Sequence, residues 1–305
     1  MCFVVKYIGV FRATREEQII EIIQLQKDFL TSNLKSVYDM PEKLYCIGNI
    51  ELLKTKCIAV IGSRNCSNYG REMAKKITKE LVENGITVVS GLARGIDSYA
   101  HFGGLKQTIA VLGSGFNKFY PHENIELAKE ILKNNGLLIS EYELNEEPKP
   151  QNFPKRNRIV AGMIDCLIVV ESASKGGALI TAEIANAYDR EVFALPGRIG
   201  DVYSIGCNNM IKDNKANILV DVNNLRSIMR WDEDKKVVPK QMRMFREFSE
   251  DEKLVMNLFE ENAVVYLDKI ITETSLSPTK IASILLSLEF DGVLSALPGK
   301  RYQKL

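Results

Sequence analysis

The sequence is poor in the residues that bind metal ions and form disulfides. Its 305 residues include two histidines and six cysteines, and the cysteines stand at positions 2, 46, 57, 66, 166 and 207 with no CxxC pair. Dispersed thiols are typical of a reducing compartment and lack the spacing of a structural zinc site. We therefore expect a cytoplasmic protein that needs no metal ion and no cofactor.

The chain also lacks long apolar runs and a strong excess of charge. No apolar stretch approaches the roughly 18 residues of a membrane span, and no basic region precedes the short apolar start of the chain. We expect neither a membrane segment nor a secretory signal. The formal net charge is +1, so any attraction to nucleic acid has to come from a local patch.

What the sequence does contain is an alternation of short apolar runs and amphipathic helical segments. The apolar runs are CIAVIG, ITVVSG, TIAVLG, LLIS, CLIVVES and EVFALPG. Each is apolar nearly throughout, as in parallel strands that are covered on both faces. The alternation predicts an α/β fold with a doubly wound, mostly parallel, Rossmann-like sheet.

The composition divides the chain into four parts. Residues 1–55 include EEQIIEIIQLQKDFL, whose isoleucine spacing predicts a helix in an N-terminal adaptor segment. Residues 56–228 are predicted to form the Rossmann-like domain, and the mixed charges of residues 229–248 indicate a linker. Residues 249–305 contain three short helical patterns and a final hairpin, which predicts a small C-terminal winged-helix domain.

The first candidate site follows the first strand of the predicted sheet, in IGSRNCSNYG. Gly62 allows a ligand close to the backbone, Ser63 offers a hydroxyl group, and Arg64 carries a guanidinium suited to phosphate. Ser67 or Asn68 can cap the next helix, whose N-terminal amides favour an anion. A solvated arginine on an ordinary turn is the structural alternative. The stretch is neither a GxGxxG fingerprint nor a P-loop, so hydride transfer and ATP hydrolysis lose support.

The second candidate is SGLARGIDSYAH, which places Asp97 and His101 four residues apart on a predicted helix. Side chains at this spacing can touch. An acid–base pair is the catalytic interpretation. A side-chain bond that holds the fold is the structural interpretation, and it is the one we favour.

The third candidate, KPQNFPKRNRIVAG, crowds an aromatic residue and cations at the start of another helix. Phe153 can offer a ring for stacking, while Lys155 and Arg158 can contact phosphate, and such a combination is typical of single-stranded nucleic-acid binding. Arg156 points toward the core and best suits a structural latch. The alternative interpretation buries Phe153 and pairs Arg156 with an acid.

The fourth candidate is the glycine turn of ESASKGGALITAE, where Lys175 stands beside Gly176 and Gly177. It opens another helix, whose N-terminus suits phosphate. Because all of these loops follow strands of one sheet, we expect them to converge along one sheet edge and to form a groove.

Taken together, the motifs resemble one family. VIGSR, SGLARGIDSYAH, VLGSGFNKFYPHEN, ISEY, FPKRNRIVAG, GGALITA, VFALPG and GCNNMI stand in the order and spacing of the DNA-processing proteins called DprA or Smf, over about residues 40–222. The resemblance implies an extended Rossmann fold that binds single-stranded DNA, forms homodimers, and loads the recombinase RecA in natural transformation or recombination. It implies a binding protein and not an enzyme.

The resemblance also assigns contacts to single-stranded DNA and its phosphates. The family's GSR motif falls on Gly62, Ser63 and Arg64, its FPxRNR motif on Phe153, Arg156, Asn157 and Arg158, and its glycine-containing helix start on Lys175, Gly176 and Gly177. The neighbouring Lys149, Asn152 and Lys155 complete the expected set. Where the family has a basic residue three places before the phenylalanine, this chain has Pro150, with Lys149 beside it.

Two other functions compete with this one. Gly176, Gly177 and Glu183 keep part of the PGGxGTxxE motif of lonely-guy-type enzymes, which implies a nucleoside monophosphate hydrolase or a nucleotide-sensing protein. A regulator that reads duplex DNA through the winged helix is the other. Its presumed recognition helix, SPTKIASILLSLEFDG, has one basic residue, Lys280, and that is poor for a major groove.

Overall fold

The structure, a computed structural model, describes residues 5–11, 18–231, 248–259, 264–290, 293–297 and 299–304. The chain divides into two compact units, Met1–Lys235 and Lys236–Leu305. Most of the predicted linker, residues 229–248, lies outside the described residues.

The first unit is built on one ten-stranded sheet. Its strands are β1 (Val5–Phe11), β2 (Gln18–Gln26), β3 (Lys43–Gly48), β4 (Cys57–Ile61), β5 (Thr87–Ser90), β6 (Thr108–Leu112), β7 (Leu137–Ser140), β8 (Cys166–Val169), β9 (Glu191–Ala194) and β10 (Asn217–Ile218). Their order across the sheet is β1-β2-β3-β7-β6-β5-β4-β8-β9-β10. The strands from β7 through β10 in this order pair in parallel. Strands β1 to β3 are joined antiparallel at one side.

Helices cover both faces of this sheet. They are α1 (Ser32–Lys35), α2 (Asn68–Glu83), α3 (Ile96–Gly103), α4 (Ile125–Lys133), α5 (Asn152–Gly162), α6 (Gly177–Ala187), α7 (Ile205–Lys212) and α8 (Val222–Ile228). Short 3₁₀ turns lie at Lys27–Phe29, Ile50–Lys54 and His122–Asn124. Across the described part of the chain, no helix combines the length and the apolar character that crossing a membrane requires.

Strand β4 shows how the sequence builds a core on each face. Ala59 and Ile61 lie in a cluster with residues of α5 and α6, whereas Ile58 and Val60 lie in a cluster with residues of α2 and α3. Successive side chains of a strand point to opposite faces, so a run that is apolar throughout fits a strand covered on both. The predicted doubly wound, mostly parallel, Rossmann-like sheet is confirmed.

The helix predicted within residues 16–30 is wrong. Gln18–Gln26 forms β2, which pairs antiparallel with β1 and with β3. Ile23 and Leu25 belong to the core on one face of the sheet, and Ile22 belongs to the core on the other. Isoleucines at these positions fit a helical period and also a strand buried on both faces. Pairing with neighbouring strands, which the local pattern does not contain, decides between them.

The direction in which strands are added reverses between β4 and β8. From β4 the chain adds β5, β6 and β7 on one side, and it then returns to add β8, β9 and β10 on the other. The helices that follow β4 and β8 therefore lie on opposite faces, and a crevice opens at the carboxyl ends of these two strands. This switch point positions the candidate site.

The second unit has the predicted winged-helix arrangement. Its elements are α9 (Glu250–Met256), β11 (Val264–Tyr266), α10 (Leu267–Thr274), α11 (Pro278–Phe290), β12 (Leu294–Leu297) and β13 (Arg301–Lys304). β12 and β13 form the final hairpin, and β11 pairs with the free side of β13. As the sequence indicates, Ser249 caps α9, where it forms a capping box with Glu252.

Candidate nucleic-acid interface

The loops after β4, β5 and β8 meet the first turns of α5 and α6 in one groove of about 630 Å³. We call it the switch-point groove. Its lining includes most of the predicted site residues, namely Gly62, Ser63, Arg64, Phe153, Arg156, Asn157, Lys175, Gly176 and Gly177. The predicted convergence of these loops on one groove is confirmed.

The backbone of the GSR turn is fixed from two sides. The N–H of Ser63 donates to the carbonyl of Glu171 at 2.8 Å, and the carbonyl of Ser63 accepts from the N–H of Ile96 at 3.1 Å. A Cβ on Gly62 would lie 2.8 Å from the Glu171 carbonyl oxygen, so a larger residue would displace this contact. The turn thereby holds Arg64 at the rim, where its side chain is exposed.

The N-terminus of α2 is occupied by a carboxylate of the chain itself. Of the two predicted caps, Ser67 and Asn68, it is Ser67 that caps the helix, by accepting from the N–H of Gly70 at 3.0 Å. The buried Glu171 carboxylate accepts from the N–H of Ser67 at 2.9 Å and from its hydroxyl group. A Cβ on Gly70 would lie 2.3 Å from that carboxylate. The expectation of a ligand anion at these amides is wrong, because Glu171 supplies the negative charge.

The N-terminus of α6 is open by contrast. A Cβ added at Gly176 or Gly177 would meet no atom of another described segment within 4 Å. Exposed Lys175 precedes them in the same groove. Helix-start amides next to a cation favour an anion, so this corner can accept a phosphate group.

Phe153 presents an aromatic ring between two strand-end loops. Its ring centroid lies 5.5 Å from that of Tyr120, and the two rings are tilted by 54°. A Cβ on Gly113 would lie 2.9 Å from the Phe153 ring, so the absence of a side chain at Gly113 leaves room for the ring. The guanidinium carbon of Arg64 lies 5.8 Å from the Phe153 centroid, a cation–π distance. A cation and two rings therefore stand together in the groove.

The sequence places Pro154 at the start of the helix and Phe153 outside it, and the second part of this prediction is wrong. The helix starts at Asn152, so Phe153 lies in its first turn. Pro154 is accommodated there because the N–H groups of a first helical turn have no partner within the helix. Tyr120 was missed by the sequence analysis, although an aromatic residue in a glycine-containing loop after a strand is a signal that could have found it.

Arg156 is a buried structural residue. Only 5% of it is exposed, and its Nη1 donates to the carbonyl groups of Gly91 and Val111. Its Nε donates to Oδ1 of Asn157 at 3.2 Å. Burial lowers the pKa of Arg156, and the charge of Asp97 opposes this shift. The residue thus fits the predicted latch, although its hydrogen bonds go to backbone carbonyls and a neighbouring amide.

Asp97 and His101 have different partners. Asp97 accepts from the N–H of Gly91 at 3.2 Å, and Nδ1 of His101 bonds the hydroxyl group of Thr108 at 2.8 Å. Burial raises the pKa of Asp97, and the charge of Arg156 opposes that rise. Burial, assisted by the charge of Arg156, lowers the pKa of His101 to about 3. These contacts favour the structural interpretation over an acid–base pair.

We expect His101 to make stability depend on pH. The pKa of a histidine is ordinarily 6.5, and in the fold that of His101 is about 3. At a pH between these values the histidine is protonated in the unfolded chain and neutral in the folded one. The free energy of unfolding then falls by up to about 1.4 kcal/mol per pH unit. Urea unfolding at about pH 7 and about pH 5 should show a loss about 2 kcal/mol smaller in His101→Gln than in the unsubstituted protein. Equal losses in the two proteins would contradict the assignment.

Lys155 and Arg158 lie in a second groove, on the other side of the first turn of α5. We call it the tyrosine groove; its lining is Tyr38, Asp39, Glu141, Tyr142, Pro154, Lys155, Arg158, Ile184 and Tyr188. Arg158 donates to the carbonyl of Asp39 at 2.6 Å and forms an ion pair with Glu141. Lys155 is exposed. Of the two predicted phosphate contacts, Lys155 alone therefore projects freely into solvent.

Three further predicted residues stand apart from the switch-point groove. Lys149 pairs with Glu146. Asn152 is buried, and its side-chain nitrogen has no hydrogen-bond partner among the described residues. Glu183, on which the enzyme alternative depends, is exposed on α6 and is not among the described residues that line the groove.

Comparison with known proteins gives two family matches. The model of DNA recombination-mediator protein A matches residues 21–230, and the model of the DprA winged helix domain matches residues 246–300.

Individual relatives agree with these matches. The DNA processing protein DprA of Streptococcus pneumoniae is 41% identical over 203 residues, which cover 66% of this chain and 71% of the relative. Protein Smf of Escherichia coli is 35% identical over 290 residues, which cover 91% and 76%. DNA processing protein A of Helicobacter pylori, a solved structure studied for its single-stranded DNA binding mode, has a TM-score of 0.64 at 31% identity. That match covers 69% of this chain and 96% of the other.

Proposed function

Since this chain belongs to the DNA recombination-mediator protein A family, also called DprA or Smf, we propose that it binds single-stranded DNA in the switch-point groove. The observation that carries the proposal is that Arg64, Phe153 and Lys175, from two loops and the first turn of α5, line one groove. A guanidinium, an aromatic ring and an ammonium group match the phosphates and unpaired bases of a single strand. The single-stranded DNA binding of the H. pylori relative supports it.

The geometry suggests how the strand is divided among these residues. A base stacks on the rings of Phe153 and Tyr120, and one phosphate lies at Arg64. A second phosphate lies at Lys175 and at the open amides of Gly176 and Gly177. Stacking is tolerant of sequence because every base has a π-face, so the protein binds single strands with little sequence preference.

The remaining predicted contacts have supporting roles in this proposal. Gly62 and Ser63 shape the turn that holds Arg64. Arg156 and Asn157 hold the first turns of α5 through hydrogen bonds, and Asn152 is buried beside them. Lys149, Lys155 and Arg158 stand on the outer side of that helix. Binding of this kind needs no covalent step, and we propose no enzymatic activity.

Fluorescence anisotropy with a labelled oligothymidylate tests the proposal. We expect binding of the single strand, weaker binding of duplex of the same length, and no competition by free nucleotides. If two or three phosphates are neutralised, affinity should fall about tenfold between roughly 50 and 200 mM salt. Equal affinity for duplex and single strand, or release of adenine from AMP, would overturn it.

The finer parts of the family role are proposals as well. We propose that the protein is a cytoplasmic homodimer that protects incoming single strands and delivers them to RecA during transformation or recombination. For the dimer, exposed Ile218 and Val220 at the edge strand β10 offer a surface for a second copy. Light scattering measures the dimer, and RecA filament formation on protein-coated strands measures the delivery.

The winged helix fits docking to a protein better than reading of duplex DNA. Lys280, the basic residue of α11, forms an ion pair with Asp251 at 2.6 Å. An engaged lysine on a helix that also exposes Leu286 gives a major groove little to bind.

A further inference from the structure

The tyrosine groove adjoins the switch-point groove. Pro154 lines both, so the first turn of α5 is the ridge between them. Phe153 lies on one side of this ridge and Lys155 on the other. A DNA strand that passes from the ring of Phe153 across α5 would reach the tyrosine groove next.

The ring of Tyr38 is exposed and is in contact with one neighbouring ring, that of Tyr188. It is 85% exposed, and its centroid lies 5.6 Å from that of Tyr188 in an edge arrangement with an interplanar angle of 74°. The hydroxyl group of Tyr188 in turn donates to the carboxylate of Asp39. An exposed ring that is positioned by its neighbours is a stacking surface with little entropy to lose.

The charges of the tyrosine groove separate a place for a base from a place for a phosphate. Asp39 and Glu141 put two carboxylates inside the groove, and the guanidinium of Arg158 is already bound to Glu141. The negative charges of these carboxylates would repel a phosphate inside the groove, whereas they would not repel a neutral base. Lys155 stands exposed at the rim, and in the described ranges no acid lies within ion-pair distance of it. The phosphate therefore belongs at the rim.

We propose that the tyrosine groove is a second nucleotide subsite, in which a base stacks on Tyr38 while its phosphate lies at Lys155. The inference rests on the proposed binding of single-stranded DNA in the switch-point groove and extends it across α5. It also gives a separate role to the two grooves: one holds the strand by Arg64 and Lys175, and the other captures the next base along.

A scan of abasic positions tests the subsite. Single abasic nucleotides are placed in turn along an oligothymidylate of about eight residues, a length within the usual range of such sites. In the unsubstituted protein, two positions should each lower affinity by about tenfold, since a base stacked on an aromatic side chain contributes on that order. In Tyr38→Ala one of these losses should disappear and the other should remain.

Matched variants separate stacking from structural damage. Tyr38→Phe keeps the ring and should retain both sensitive positions. Lys155→Gln should weaken binding severalfold, whereas Lys106→Gln, an equally exposed lysine in the turn between α3 and β6 at the opposite sheet edge, should not. Melting temperatures of all four variants should match the unsubstituted protein because these side chains are exposed.

The outcomes distinguish the subsite from the function on which it rests. If Tyr38→Ala shows the same abasic profile as the unsubstituted protein, or if only one position is sensitive, the subsite is refuted while groove binding stands. If the unsubstituted protein binds no oligothymidylate, both are refuted. The subsite is supported if Tyr38→Ala loses one sensitive position and Tyr38→Phe keeps both.

Discussion

Arg64→Ala is expected to weaken binding of a labelled oligothymidylate at least about tenfold, the loss of one charge-assisted contact of about 1.4 kcal/mol. Its guanidinium is exposed at the rim of the switch-point groove and lies against the ring of Phe153. The substitution therefore removes the proposed phosphate contact and the cation that lies against the Phe153 ring. Anisotropy titrations at fixed salt measure the effect, and the salt slope should become shallower by about one contact.

A matched arginine controls for the loss of charge. Arg226 donates to Oδ1 of Asn84 at 2.7 Å, beside the C-terminal end of α2 and so at the sheet edge opposite the groove. Arg226→Ala removes the same net charge and should change affinity less than about twofold, since distant exposed charges are screened. Unchanged binding by folded Arg64→Ala, or equal losses in both variants, would remove Arg64 from the site.

Arg156→Leu is expected to lower the free energy of unfolding by about 3 kcal/mol or more, the largest stability effect we predict. The substitution leaves the carbonyl groups of Gly91 and Val111 without their donor, and it leaves buried Asp97 without the nearby positive charge that favours its ionised form. Unsatisfied buried acceptors and an uncompensated buried charge each cost on the order of 1–3 kcal/mol or more. Urea denaturation measures the change.

The neighbouring residue supplies the control for this variant. Lys155 stands next to Arg156 on the same helix but is exposed, so Lys155→Ala should change stability by less than about 0.5 kcal/mol. A loss below about 1 kcal/mol in Arg156→Leu would show that the carbonyl groups find other partners, and the latch assignment would fall.

The contrast between Arg64 and Arg156 shows where sequence reasoning reaches its limit. Both belong to motifs that the sequence marks as phosphate contacts, and a guanidinium suits either role. Position on the helix indicated that Arg156 faces inward. Its partners are the carbonyl groups of Gly91, just after β5, and of Val111, near the end of β6, which lie 65 and 45 residues earlier in the chain. No local pattern contains that distance.

The same limit applies to the N-termini of α2 and α6. Each helix follows a strand, and the sequence predicted an anion site at each N-terminus. At α2 the anion is Glu171, which comes from 104 residues later in the chain, whereas at α6 no other segment fills the space beside Gly176 and Gly177. Only the adjacency of β4 and β8 in the sheet brings Glu171 to Ser67, and this adjacency is a property of the strand order.

By itself the sequence determined the elements whose signal is local and strong. Continuous apolar runs marked the parallel strands because both faces of such strands are buried. Ser249 marked the start of α9 because capping acts within one turn. The family motifs also follow from the sequence, since their residues are contiguous.

The tertiary structure alone decided what depends on neighbours distant in the chain. It made β2 a strand by pairing it with β1 and β3, set Arg156 among backbone carbonyls, and filled one anion site while leaving the other open. It also placed Lys155 and Phe153 in two adjoining grooves, although they stand two residues apart. The physical reason is common to all of these: pairing, burial and charge compensation are contacts between segments, and the order of strands in the sheet decides which segments meet.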